Sequence, residues 1–137
     1  MAVLLIPLLA SMGQTSECLT SHCISMKRSL NDITPVATSH NAGMKRVLLS
    51  AQESGCGITQ IAITDLKASE VAEAHAHADM QEGFYVLSGE LDIVLDGVTE
   101  HCQAEDFVYV KCGTSHELRA VTDVRVMTIG CEVVKQR

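Results

Sequence analysis

Aromatic side chains are scarce in this sequence, which has no tryptophan and only two tyrosines and two phenylalanines among its 137 residues. A groove that binds ligands mainly by ring stacking is therefore not expected, and a core must be built from Val, Ile, Leu, Met and Ala. Positive charge is scarce too, since 10 Lys and Arg oppose 17 Asp and Glu for a net charge of −7. The basic residues are scattered rather than clustered, which disfavours binding to a nucleic-acid backbone.

Cysteine motifs are also missing from the chain. The six cysteines show no CxxC pair and no zinc-finger spacing, so we interpret them as small buried hydrophobic residues. Their even number leaves disulfides as an alternative. Cys102 and Cys112 flank one predicted strand, and either is a minor candidate for lining a cavity.

The N-terminal apolar run, AVLLIPLLA, is too short to span a bilayer and is interrupted by Pro7. Residues 1–25 lack Lys and Arg, and we treat them as a segment outside the domain, before an arm at 26–43 and a domain at 44–137. Three explanations stay open: a weak secretory signal, a disordered or helical extension, or translated sequence upstream of a start at Met26, which we favour. We expect a cytoplasmic protein without membrane association, or a secreted one if the segment acts as a signal.

Short β-type runs fill the chain from residue 44 onward. Ile58 to Glu73 is rich in β-branched residues, and the apolar runs Phe84 to Leu87 and Leu91 to Leu95 are separated by a Ser-Gly-Glu turn. Asp96-Gly97 marks a second tight turn. No stretch keeps a helical repeat of apolar residues for three turns. The sequence therefore predicts one all-β domain of sandwich or barrel type, large enough to bury a core without disulfides.

Two histidines one residue apart, His75 and His77, indicate a metal site. Successive side chains of a strand point to opposite faces, so these two share a face if a strand carries them. Glu82 follows after a short turn, and His116 lies 34 residues further on, where a second strand could close the site. Three imidazoles and a carboxylate suit one divalent transition metal (Zn, Mn, Fe or Ni) with positions left open for a ligand. Gln81 is the alternative to Glu82 if the turn is tighter by one residue.

The stretch HAHADMQEGFYVLSG resembles the first conserved motif of the cupins: a glycine, five residues, His-x-His, three or four residues, Glu, six residues and Gly. Four residues fall in register with it: His75, His77, Glu82 and Gly89. The second cupin motif is Gly, five residues, Pro-x-Gly, two residues, His, three residues and Asn. In EDFVYVKCGTSHELRA, Gly113 and His116 match it.

Four positions depart from the cupin pattern: Ser69 and Glu105 replace leading glycines, Lys111 replaces the proline and Ala120 the asparagine. They fall on turn and framing positions, so they put the local turn geometry in question but not the metal. The resemblance covers roughly residues 44 to 137. It implies a double-stranded β-helix, a small β-barrel or jelly roll with the metal in its interior, that pairs as a homodimer.

Strand alternation predicts a pocket beside the metal. If Glu82 points inward, Phe84 does so as well, and His116 takes Leu118 with it. The pocket would be mostly apolar around a polar metal end, as is usual for small-molecule sites. The predicted pocket residues are Gln60, Met80, Phe84 and Leu118, to which Thr64 could add a contact.

Other polar residues are expected away from this pocket. Three of them fall on the opposite face by the same parity, at the surface or a dimer interface: Tyr85, Glu117 and Arg119. His101 is expected to be an exposed strand residue beside the Asp96-Gly97 turn. His22 and His40 precede the domain and are expected to have no partner.

Two classes of function fit this site. The first is a metal-dependent enzyme of isomerase or dioxygenase type that acts on a small sugar-like or keto-acid substrate. The second is a cupin without catalysis, which binds a small molecule or uses the metal to brace the barrel. No second charged residue near the ligands stands out as a general base. We favour the enzyme.

Overall fold

The computed structural model describes residues 25–135. His22 and all but the last residue of the predicted N-terminal segment lie outside the described residues. The described part contains one 3-10 turn at Leu30–Asp32, one turn of α-helix, α1 (Ala51–Ser54), and ten strands. The strands are β1 (Val36–Ala37), β2 (Met44–Ser50), β3 (Ile58–Leu66), β4 (Val71–His75), β5 (Met80–Ser88), β6 (Glu90–Leu95), β7 (Val98–Gln103), β8 (Phe107–Val110), β9 (His116–Ala120) and β10 (Val124–Glu132).

The strands form two antiparallel sheets. The larger sheet has the order β1-β2-β3-β10-β5-β8, and the smaller has the order β4-β9-β6-β7. The predicted all-β architecture is confirmed. Among residues 25–135, no helix is long and apolar enough to cross a membrane.

Alternation along the strands builds the core between the sheets. In β10, Val124, Val126 and Thr128 are buried, whereas the residues between them are partly exposed. The larger sheet also contributes Phe84 and Val86 from β5, and the smaller sheet contributes residues such as Leu91, Ile93 and Leu118. Because each strand gives every second side chain to one face, both sheets turn an apolar face inward.

Ser69 and Glu105, which replace the leading glycines of the two cupin motifs, lie in turns of the kind that glycine favours. Ser69 has φ 73° and Glu105 has φ 76°. Each is the third residue of a turn closed by a backbone hydrogen bond between its first and fourth residues, at 3.0 and 3.1 Å. A positive φ at the third position defines a type II turn, for which glycine is the usual residue. The turn geometry is therefore kept, at the cost of backbone strain.

Gly89, by contrast, occupies a position that no side chain can enter. Its φ is 82°, and a Cβ atom placed there would lie 2.1 Å from the carbonyl oxygen of Asp123. This close approach packs the turn between β5 and β6 against the chain that leads into β10.

Part of the predicted arm joins the sheets. β1 pairs with β2 through Val36 and Ala37, and Ala42 is buried in the core. The hydroxyl of Thr38 donates to the Ala42 carbonyl, which folds residues 38–43 into a compact loop. The boundary predicted at residue 44 stays a prediction.

Candidate metal centre

The four residues predicted as ligands come together between the two sheets. His75 ends β4 and pairs in register with His116, the first residue of β9 in the same sheet. Glu82 projects from β5 of the opposite sheet. The potential ligand atoms of these residues and of His77 all lie within 4.8 Å of one another.

His77 lies past the end of its strand, which is a correction to the spacing argument. β4 ends at His75, so His77 belongs to the connection to β5. In this connection the amide of Gly113 donates to the His77 carbonyl at 2.7 Å, which ties it to the chain that leads into β9. The two rings nevertheless stay adjacent, with centroids 4.9 Å apart.

Glu82 links the imidazoles electrostatically. Its Oε2 is 3.0 Å from Nε2 of His116 and 3.4 Å from Nε2 of His77. Burial alone would raise the pKa of the Glu82 carboxyl, but the hydrogen bond with His116 and the charges of the three imidazoles hold that pKa below its usual value. Burial likewise opposes charge on His116, yet the contact with Glu82 raises the pKa of His116 overall.

The hydrogen bonds of two histidines fix which ring nitrogen is free. Nδ1 of His116 is 3.1 Å from the Thr114 carbonyl, and Nδ1 of His75 is 2.8 Å from the Glu73 carbonyl. A carbonyl oxygen only accepts, so both Nδ1 atoms carry a hydrogen, and in the neutral form of each ring the Nε2 atom presents a lone pair.

This donor set fits a divalent transition metal. His116 Nε2 lies 3.0 Å from a carboxylate oxygen, and in the neutral ring these two acceptors would repel unless a cation took the place of the proton between them. Carbonyl acceptors on the far nitrogens are the usual way to orient histidine ligands. Three imidazole nitrogens and one carboxylate oxygen are ligands that Zn, Mn, Fe and Ni accept. Gln81 is turned away, since its side chain accepts a hydrogen bond from Tyr109.

His40 has a partner, so the expectation that it has none is wrong. Its ring stacks on His75 with centroids 3.8 Å apart and an interplanar angle of 15°. Burial, followed by the charge of His75, lowers the pKa of His40. No local pattern links two residues this far apart in the chain. Only the folding of the loop between β1 and β2 over the barrel brings them together.

A cavity of about 330 Å³ opens beside the four candidate ligands. Three of them line it, namely His75, His77 and Glu82. All of the predicted pocket residues also lie in its wall: Gln60, Met80, Phe84 and Leu118. Its volume is at the lower end of the range for small-molecule sites, about 300–1,000 Å³. The role of these residues in binding stays a prediction.

The cavity wall also contains residues that sequence reasoning missed. Lys45 of β2 lines it together with His40, and the threonines at 38, 59 and 128 add hydroxyl groups to the wall. Thr64, for which a contact was expected, lies in the wall as well. The Lys45 ammonium donates to Oε1 of Gln60 at 2.9 Å. The sequence around β2 shows no alternation that would mark Lys45 as facing the cavity, so local patterning does not predict its place in the wall.

The remaining predicted positions lie away from the cavity. Tyr85, Glu117 and Arg119 are not part of its wall. His101 is exposed in β7, as predicted, and contacts the Asp92 carboxylate at 2.6 Å. Four cysteines fall in the described part of the chain and all of them are free, with none in the cavity wall: Cys56, Cys102, Cys112 and Cys131.

The sequence and the fold both match known proteins. The family model described as "Cupin domain" matches residues 62–130, about half of the chain. This span contains β4 to β9 entirely, together with all four candidate ligands. No curated protein matches the chain.

Three solved structures illustrate the likeness in fold. A predicted oxalate decarboxylase from Thermotoga maritima is 21% identical with a TM-score of 0.73, over 79% of this chain and 100% of that one. An ectoine synthase from P. lautus is 21% identical with a TM-score of 0.67, over 78% of each chain. A double-stranded β-helix protein from Klebsiella pneumoniae is 18% identical with a TM-score of 0.62, over 79% of this chain and 90% of that one. At these identities the likeness confirms the predicted double-stranded β-helix and nothing about activity.

Proposed function

The chain belongs to the cupin family, and we propose that it is a metal-dependent enzyme acting on a small polar substrate. One divalent transition metal would be held by the four candidate ligands, which are His75, His77, Glu82 and His116. The observation that carries this proposal is the convergence of their ligand atoms within 4.8 Å beside a cavity of about 330 Å³. The substrate is expected to be sugar-like or a keto acid, and the reaction of isomerase or dioxygenase type.

Each part of the site has a task in such an enzyme. A metal held there would act as a Lewis acid on a substrate oxygen. The backbone carbonyls of Glu73 and Thr114 fix the ring orientations of His75 and His116. The negative charge of the Glu82 carboxylate would favour a metal cation between the imidazole nitrogens. Apolar side chains of the cavity wall, such as Phe84, exclude water from the bound substrate.

A non-catalytic cupin is the second candidate, and one observation favours it. Among the described residues of the cavity wall, Glu82 is the sole carboxylate. Because Glu82 is engaged by His77 and His116, it is a poor general base. A non-catalytic protein would bind its ligand without turning it over, or use the metal only to brace the barrel.

Elemental analysis followed by turnover assays tests the proposal. We expect close to one equivalent of a divalent transition metal per chain, and we expect His75→Ala and His116→Ala to lose most of it. His101→Ala is the control, because that histidine is exposed on β7. Turnover that requires air points to a dioxygenase, and turnover under nitrogen to an isomerase. Unchanged metal content in both ligand variants would contradict the site itself.

We further propose a homodimer in the cytoplasm. Phe107 and Tyr109 of the edge strand β8 are 58% and 50% exposed, which supports a partner on that edge. Free cysteines in the described residues agree with a reducing compartment. Light scattering of the wild type and of Phe107→Ser tests the dimer. If the dimer forms through β8, we expect the variant to be monomeric. Cell fractionation tests the location.

A further inference from the structure

Lys45 places an unbalanced positive charge in the cavity wall. Its ammonium group has three donors, and one of them is used on Gln60 at 2.9 Å. No carboxylate among residues 25–135 lies within ion-pair distance of it: the ion pairs there involve other cations. The one acidic side chain of the described cavity wall, Glu82, is engaged by histidines instead.

Strand register places Gln60, the hydrogen-bond partner of Lys45, level with the candidate ligand Glu82 in the same sheet. Gln60 of β3 pairs with Gly130 of β10, and Gly130 pairs with Glu82 of β5. Gln60 and Glu82 therefore belong to one row across the sheet, and their backbones are two strand spacings, or about 10 Å, apart in the hydrogen-bonding direction. Gly130 contributes no side chain to the row between them; Thr59 and Met80 lie over it instead, 2.4 and 3.2 Å from where a Cβ atom would be, and both line the cavity between the Lys45–Gln60 pair and the candidate ligands.

The polar groups of the wall near Lys45 can donate hydrogen bonds to a ligand. Because Oε1 of Gln60 accepts from Lys45, the amide nitrogen of Gln60 is left to donate to a ligand. Hydroxyl groups of Thr64 and Thr128 lie in the same wall. Covering an ammonium group with a neutral ligand costs free energy unless a negative charge compensates it. A carboxylate meets both requirements, because it is anionic and only accepts hydrogen bonds.

We propose that the cavity binds a small acid whose carboxylate lies at Lys45 and Gln60 and whose second oxygen-donor group reaches the metal centre. The substrate is then an acid with oxygen functions at both ends rather than a neutral sugar. This inference rests on the proposed function, because the second group needs the metal. Lys45 is the residue that selects for the charge.

A series of dicarboxylates tests the inference by binding rather than by turnover. The metal-loaded protein is titrated by calorimetry, at fixed ionic strength because salt screens charges. The probes are malonate, succinate and glutarate, each compared with its monoamide. Every probe keeps one carboxylate for the metal, so only the diacid has a second one for Lys45. We expect the wild type to bind the best-fitting diacid at least about tenfold more tightly than its monoamide.

Three variants make the result specific. In Lys45→Met, which keeps the apolar stem, the preference is expected to fall to about twofold, the statistical factor for two equivalent ends. Lys45→Arg keeps the charge and is expected to keep a preference. Lys67→Met is the matched control, because it removes the same charge from an exposed ion pair with Asp123 and is expected to change nothing.

The outcomes separate this inference from the proposed function. Metal content is measured for every variant, and we expect Lys45→Met to keep its metal. If Lys45→Met prefers the diacid as strongly as the wild type does, the inference is wrong while the metal site stands. If no diacid is preferred over its monoamide by the wild type, the inference is also wrong. If the wild type purifies without metal and takes up none, the proposed function is wrong, and the inference that depends on the metal is wrong with it.

Discussion

Replacing Ser69 and Glu105 by glycine should stabilise the protein. Both residues have a positive φ at the third position of a type II turn, where an L side chain costs roughly 1–2 kcal/mol. Both are exposed, so their side chains bury little surface that would be lost. The backbone amides of Ser69 and Glu105 donate hydrogen bonds to the carbonyls of Ala120 and Val86, at 2.9 and 2.8 Å. These bonds hold the turns in place and persist in the variants.

The expected gain is the strain relieved less the entropy that glycine adds to the unfolded chain. Glycine costs about 0.5–1 kcal/mol in that entropy. Each single substitution should therefore raise the free energy of unfolding by about 0.5–1 kcal/mol, and the two turns share no contact that would couple them. At roughly 4 °C per kcal/mol for a domain of this size, the double variant should melt about 4–8 °C higher than the wild type.

Calorimetry and urea denaturation of the metal-free protein measure this gain without a contribution from ligand binding. The matched controls are Ser69→Ala and Glu105→Ala, which remove the polar atoms but keep the Cβ atom that causes the strain. We expect no stabilisation in the alanine variants. Glycine variants no more stable than their alanine counterparts would refute the reasoning, because the turns would then carry no strain.

Three further predictions concern the site and the pH dependence of stability. Removing the metal with a chelator should lower the melting temperature. Retention of the metal should also fall as the pH drops through about 6.5, where protons compete for imidazole nitrogens. Equal retention at pH 4.5 and 7.5 would speak against three histidine ligands. His40→Ala should keep close to one equivalent of metal with an affinity reduced by less than about tenfold, because a ring stack contributes about 0.5–1.5 kcal/mol, whereas His75→Ala loses most of it. The hydrogen bond from Arg28, followed by those from Ser50, lowers the pKa of Glu53 to about 2. In urea denaturation the wild type should therefore have a higher free energy of unfolding than Arg28→Met, with the full difference above about pH 4.5 and a smaller one as the pH falls toward 2.

The sequence was sufficient for features that depend on neighbours along the chain. The alternation in β10 and the Asp96-Gly97 turn follow from local patterns. The candidate ligands were also accessible, because the motifs place His75 and Glu82 a few residues apart. Only His116 required a longer step, and its register pair with His75 shows why that step succeeds: β4 and β9 are direct neighbours in the smaller sheet.

The rest of the site depends on which strands lie side by side. Lys45 and Gln60 meet because β2 pairs with β3, and Gln60 faces Glu82 because β10 lies between β3 and β5. No spacing within one chain encodes that order. His40 depends on a loop that crosses the barrel to reach His75. The pairing of β2 with β3 supplies the cavity's positive charge through Lys45, and a pocket described from local motifs alone is therefore too apolar.

The departures from the cupin pattern show what a motif glycine requires. Where the pattern's glycine is retained at Gly89, a Cβ atom would lie 2.1 Å from a backbone carbonyl, so no other residue fits. Where it is lost, at Ser69 and Glu105, the turn lies at the exposed edge and has room for a side chain. Strain of roughly 1–2 kcal/mol is tolerable there because backbone hydrogen bonds enforce the turn, whereas overlap with a backbone atom is not. The loss of a motif glycine therefore argues against a shared fold only where packing, rather than φ alone, requires the glycine.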